Sequence, residues 1–147
     1  MPDQTTSSIA IAADAASIMD VIADFPAYPL WAQGVARAEV VVPGAPGERD
    51  KEVYFEIEAT PIRDSYTLAY VWHSDHLVTW TLSEGKMLKA IDGLYELSEL
   101  EDGSTEVTYA LAVELAVPII GMLRRKAEKV IIDAALKGLK KRVESLV

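Results

Sequence analysis

Val107-Thr108-Tyr109-Ala110-Leu111-Ala112-Val113-Glu114-Leu115-Ala116-Val117-Pro118-Ile119-Ile120-Gly121-Met122-Leu123 holds the junction that decides the fold. Up to Leu115 every second residue is apolar, Val107, Tyr109, Leu111, Val113 and Leu115, the period of a strand with one buried face. Pro118 then suits the first turn of a helix, where its missing N–H costs nothing. From there the apolar residues take helical spacing to Val147. One helix face reads as Ile120, Ala127, Ile131, Ala134 and Gly138, flanked by Leu123, Ala135, Leu139 and Leu146. The opposite face holds Arg125, Lys126, Lys129, Lys137 and Lys140. At 1.5 Å per residue, about thirty helical residues reach about 45 Å, enough to cross a whole sheet.

Upstream of this junction the period-two pattern runs back to Val35. It divides into segments near 35–42, 51–59, 63–73, 76–83, 87–98 and 104–115. Turn residues separate them: Pro43-Gly44-Ala45-Pro46-Gly47, Thr60-Pro61, Ser74-Asp75, Glu84-Gly85 and Glu101-Asp102-Gly103. Links this short make sequential strands antiparallel neighbours. Before them, Ser7 to Ala12 alternates around Ile9 and Ile11 as a first strand. Asp14 suits the N-cap of a helix over Ala15–Ala23, with Ile18, Val21 and Ile22 at helical spacing. Phe25 to Trp31, with Pro26 and Pro29, reads as a second short helix or turn. The expectation is a single α+β domain over 1–147. It has a seven-stranded antiparallel sheet wrapped around a long C-terminal helix, two short helices between strands one and two, and a flexible tail at residues 1–6.

Bulk properties narrow the function. Half of the 147 residues are apolar and a quarter charged, a globular composition. The absence of cysteine removes disulfides, thiolate metal sites and a thiol nucleophile. Met1 to Ser8 lacks a basic n-region and an apolar h-region, and no apolar run approaches the roughly 20 residues of a membrane span. A cytoplasmic protein without a transmembrane segment is expected. The net charge of −9 is segregated: residues 118–147 carry 8 basic and 3 acidic side chains, the remainder 6 and 20. Such an acidic body disfavours nucleic acid as a partner.

Strand phase collects the aromatic residues on one face. Phe55, Tyr66, Tyr70, Trp72, Trp80 and Tyr95 align with Val53, Ile57, Leu68, Val78, Leu82 and Leu97, and Tyr109 falls in the row of the last strand. Buried hydroxyls require partners, and an unmet one costs about 1–3 kcal/mol. Rings facing the small residues Ala127, Ala134, Ala135 and Gly138 leave room for a guest, or else permit close helix approach. The candidate ligand-binding set is Trp31, Phe55, Tyr66, Leu68, Tyr70, Trp80, Tyr95, Tyr109, Leu123, Ala127, Ile131 and Ala134. Asp92 and Tyr95 are the candidate catalytic residues, with Gly93 read as the mark of a bulge that re-aims Asp92.

Other constellations carry less. His73-Ser74-Asp75-His76 reads as a polar hairpin turn without a third or fourth metal ligand. Glu56, Glu58 and Glu114 fall in the outward phase, and Arg37 and Arg63 read as surface residues. There is no Gly-rich phosphate loop and no Gly-x-Ser-x-Gly elbow. No metal and no cofactor are expected.

Four stretches carry a family resemblance: Ser8-Ile9-Ala10-Ile11-Ala12-Ala13-Asp14, Ile22-Ala23-Asp24-Phe25-Pro26-Ala27-Tyr28-Pro29-Leu30-Trp31, Asp92-Gly93-Leu94-Tyr95-Glu96-Leu97, and Thr105-Glu106-Val107-Thr108-Tyr109. With the order of elements, they make the chain resemble the SRPBCC superfamily, the START-like or Bet v-like helix-grip fold, in its polyketide cyclase/dehydrase-like branch. The tail from Ala116 to Glu128 looks like the small actinobacterial members of that branch. The resemblance implies a cavity between the concave sheet face and the C-terminal helix, with a lipid, quinone or polyketide-like ligand. It transfers no catalytic motif. The alternatives are a polyketide cyclase or dehydratase using the same cavity, and a membrane or protein contact through the basic helix face. The oligomeric state stays open.

Overall fold

The computed structural model describes residues 4–59, 62–117 and 120–146. Its elements are β1 (Thr5–Ile11), α1 (Ala15–Ala23), a 3-10 turn (Phe25–Ala27), α2 (Tyr28–Trp31), β2 (Val35–Val42), β3 (Glu52–Ala59), β4 (Ile62–Ser74), β5 (Leu77–Gly85), β6 (Leu88–Glu99), β7 (Thr105–Leu115) and α3 (Gly121–Leu146). β1 begins at Thr5, so Thr5 and Thr6, expected in a flexible tail, belong to the sheet and pair with Leu111 and Ala110. Thr60-Pro61 and Pro118 lie outside the described residues.

All seven strands form one antiparallel sheet in the order β1-β7-β6-β5-β4-β3-β2. β2 to β7 are a meander of hairpins, and β1 closes onto the far edge beside β7. α1, the 3-10 turn and α2 carry the chain from that edge back to β2 at the other. Register shifts in β2, near both ends of the β4–β5 pair and at Leu88/Ala90 bend the sheet into a trough. Gly93 lies in regular register, opposite Trp80 on β5 and Leu111 on β7. It marks no bulge, and the reason is steric: a Cβ there would collide with the Trp80 indole, which lies over it.

Asp14 occupies the N-cap of α1, with its carboxylate accepting from the Ser17 hydroxyl at 2.5 Å. Ala15, Ile18, Met19 and Ile22 are the buried face of α1. They join Phe25, Ile11, Val53, Val78, Val107 and the inward side of α3 in one core. The α3 side is Glu128, Ile132, Leu136, Leu139 and Val143. This corrects the expected helix face. Ile120, Leu123, Ile131 and Leu146 are exposed, and so is Ala127, whereas Ala134 and Gly138 are half-buried. α3 packs along β1 and β7 and touches α1 and α2; its main sheet contacts do not extend to β3–β6. The backbone carbonyl of Trp31 sits 2.9 Å from where a Gly138 Cβ would be, so this glycine admits α2 against the helix. Among the described residues, no helix is long and apolar enough to cross a membrane.

Candidate functional site

The inner row of the sheet is a continuous aromatic lining. Cross-strand register sets Phe55 opposite Tyr66, Tyr70 opposite Trp80, and Tyr95 opposite Tyr109. Ring centroids follow at 5.9, 5.7 and 4.7 Å, and Trp80 joins the last two pairs, 5.3 Å from Tyr95 and 5.5 Å from Tyr109. From the 3-10 turn, Phe25 meets Tyr70 at 4.8 Å, while Tyr28 of α2 reaches Phe55 at 5.8 Å and Trp31 at 4.9 Å. Rings at these distances and tilts are favourable beyond the area that they bury.

Burial divides this interior in two. Ile18, Met19, Ile22, Phe25, Val53 and Val107 are wholly closed off at 0% exposure. Phe55, Leu68, Trp80, Ile91, Tyr95 and Tyr109 each keep 4–8%. Tyr66 and Tyr70 are half-buried.

The hydroxyls divide the same way. Tyr28 donates to the Ile22 carbonyl at 2.5 Å. Among the described residues, Tyr66, Tyr70, Tyr95 and Tyr109 make no such bond, yet none of their oxygens is walled off: Trp31 Nε1 is the one fully enclosed polar side-chain atom without a partner. Desolvation pushes the Tyr66 phenol up to about 12, with Asp64 adding a little. Burial, and secondarily the neighbouring tyrosines, holds Tyr70, Tyr95 and Tyr109 well above the usual phenol value. These groups are therefore neutral at physiological pH and act as hydrogen-bond donors and acceptors, not as bases.

Of the expected site residues, Trp31, Phe55, Tyr66, Leu68, Tyr70, Trp80, Tyr95 and Tyr109 all belong to this core, and Ala134 is half-buried on α3. Leu123, Ala127 and Ile131 stand on exposed positions of α3. Asp92 pairs with Thr81 and Ala112, in the phase opposite to the inner residues Ile91, Gly93 and Tyr95. Sequence reasoning missed Phe25 and Tyr28, because a short turn broken by two prolines has no period from which to read a face.

It also missed Glu128. This carboxylate is fully buried and accepts from Arg124 at 2.7 Å, the Thr5 hydroxyl at 2.6 Å and the Val113 backbone N–H at 2.7 Å. It ties α3 to both strands on which the helix lies. With three donors in place its chemistry is satisfied, and it reads as a structural anchor.

Two surface depressions lie apart from the lining's centre. One, of about 450 Å³, runs past Leu30, Trp31, Gly34, Val35 and Glu58. The other, of about 1030 Å³, is lined by Arg49, Lys51, Trp72, His73 and Asp75 among others. Its arginine and tryptophan already have partners: Arg49 bonds Asp20 at 2.9 Å and Asp75 at 3.1 Å and stands 5.4 Å from the Trp72 ring, whose Nε1 donates to the Asp50 carbonyl at 2.7 Å. It clasps the β2–β3 loop to its neighbours. His73 lies 3.3 Å from Thr79 Oγ1 and His76 3.0 Å from Glu99, so the histidines of the β4–β5 turn are engaged with different strands. Arg63 pairs with Glu58 at 3.1 Å and Arg37 with Glu39, all on the surface.

Comparison with known proteins places this architecture. Residues 2–144 match the family model described as polyketide cyclase / dehydrase and lipid transport. No curated protein matches the chain. Among solved structures, a START superfamily protein from Mycobacterium smegmatis superposes with a TM-score of 0.91 at 21% identity, covering 99% of both chains. A Thermus thermophilus protein gives 0.79 at 20% identity, over 97% of this chain and 98% of its own. The Zhui aromatase/cyclase of a Streptomyces species gives 0.75 at 13% identity, over 98% and 94%. At these identities the likeness is one of fold.

Proposed function

Because the chain belongs to the polyketide cyclase/dehydrase and lipid transport family, we propose that it binds a hydrophobic or aromatic small molecule between the concave sheet face and α3. The carrying observation is the set of tyrosine hydroxyls at Tyr66, Tyr70, Tyr95 and Tyr109, desolvated and, among the described residues, without a protein hydrogen-bond partner. An apolar floor with a few unspent polar tips is the general form of a small-molecule site. Phe55, Leu68 and Trp80 would contact the apolar body of the guest, and Tyr95 and Tyr109 its oxygen atoms. Trp31 Nε1 is a further donor in need of an acceptor.

Titration with naphthalene and with naphthol, followed by quenching of tryptophan emission, tests this. Both should bind. Tyr95→Phe with Tyr109→Phe should weaken naphthol by roughly fivefold to tenfold, the worth of about one hydrogen bond, and leave naphthalene unchanged. Binding of neither probe, with native mass spectrometry finding no apolar molecule carried through purification, overturns the reading.

A cyclase or dehydratase acting in the same space is the second reading, favoured by the neutral Tyr95 and Tyr109 phenols, which could polarise a carbonyl. Asp92 lies in the outward strand phase, so these phenols are the proton donors on which such chemistry would rely. Turnover of a polyketide-like chain that Tyr95→Phe abolishes without loss of binding would establish it.

A further inference from the structure

The inward side of α3 is accounted for by the core, but its outward side in the first half is apolar as well. Met122, Leu123, Val130 and Ile131 are 65, 55, 70 and 47% exposed. Leu123 and Val130 are seven residues apart, two turns, and so share one row, which Lys137 continues. Exposed charges on this helix are Arg125, Lys126, Lys129, Lys137 and Lys141, all basic. Its acids are engaged: Glu128 is buried on Arg124, Asp133 accepts from Lys129 at 2.9 Å, and Glu144 from Lys140 at 2.7 Å. Exposed branched and thioether side chains rimmed by lysine and arginine have the composition of a helix lying in a lipid interface.

We propose that this outward face of α3 docks on an anionic bilayer surface, with Met122, Leu123 and Val130 entering the headgroup boundary and Lys126, Lys137 and Lys141 meeting lipid phosphates and carboxylates. Charge segregation supplies the orientation. Residues 1–117 hold 20 acidic against 6 basic side chains, so a negative surface attracts α3 and repels the body behind it. A twofold contact with a second copy would oppose lysine to lysine. An acidic protein would satisfy the lysines but gives no account of the apolar row between them. The proposal does not depend on what fills the interior.

The test is co-sedimentation of the full chain with vesicles of phosphatidylcholine alone and of phosphatidylcholine with about a third phosphatidylserine, at low and high salt. Binding is expected only to the anionic vesicles and should fall steeply with salt. Leu123→Asn with Val130→Asn, and separately Lys126→Glu with Lys137→Glu, should each weaken it by about tenfold or more. All four positions are solvent-exposed, and unchanged circular dichroism will verify the fold. Absence of binding overturns the proposal. So does binding indifferent to the apolar pair, which would identify an acidic polymer as the partner. A dimer dissolved by the apolar double variant, in protein that ignores vesicles, overturns it in favour of self-association.

Discussion

The Trp80 indole lies over Gly93 on the adjacent strand, filling the space in which any other residue would place its Cβ. That ring is itself held among Tyr70, Tyr95 and Tyr109, at centroid distances of 5.7, 5.3 and 5.5 Å. Gly93→Ala should therefore cost about 1–3 kcal/mol, the range for an overpacked core. Chemical denaturation measures it. A loss below a few tenths would show that the indole can swing aside.

Glu128 should behave as an anchor. Glu128→Ala leaves the Arg124 guanidinium, the Thr5 hydroxyl and the Val113 N–H without their acceptor, and breaking a buried pair on one side costs about 3–5 kcal/mol. Hydrogen exchange should localise the opening to β1 and the start of α3, leaving β3–β5 protected.

Two tyrosine-to-phenylalanine changes should differ in sign of interest though not in chemistry. Tyr28→Phe removes the bond to the Ile22 carbonyl and should cost about 1 kcal/mol. Tyr109→Phe removes a hydroxyl with no protein partner among the described residues and should leave stability within about 0.5 kcal/mol of the parent. Thermal unfolding of the two variants side by side separates them.

Alkaline titration should expose the interior phenols. Their folded values are raised above the ordinary value of 10.0 while the unfolded chain keeps that value, so the folded state holds its protons more tightly. The stability tied to them is complete below pH 10 and is lost as pH climbs through the raised values. Ultraviolet absorbance of tyrosinate should show these phenols still protonated above pH 10, ionising together as the fold is lost. Independent ionisation in folded protein would contradict their burial.

The sheet was legible because period-two alternation and its turn residues leave few other arrangements. Inner-row residues such as Phe55, Tyr70, Trp80 and Tyr109 fell into place with it. The helix face was not. Apolar residues surround much of α3, so two stripes competed, one through Ile120, Ala127 and Ile131 and one through Ile132, Leu136, Leu139 and Val143. The second also contains Glu128, and a carboxylate counts against burial unless its partners are known. Arg124 one turn earlier was visible; Thr5 and the Val113 amide, remote in sequence, were not. Gly93 was misread for a related reason, since a glycine vacated for a neighbour's ring looks the same in one dimension as one required by a bulge.

The pairing of β1 with β7 has a consequence during synthesis. Ser8 shares a hydrogen bond with Thr108, a hundred positions later, while every other strand finds its neighbour across a short turn. On a ribosome the meander can assemble as it emerges, whereas the first strand must wait for the seventh. A waiting strand is a template for wrong partners. Its sequence, Thr5-Thr6-Ser7-Ser8-Ile9-Ala10-Ile11, answers this with hydroxyls over its first half. They keep it wetted and unattractive to other nascent chains until β7 and Glu128 arrive to claim it.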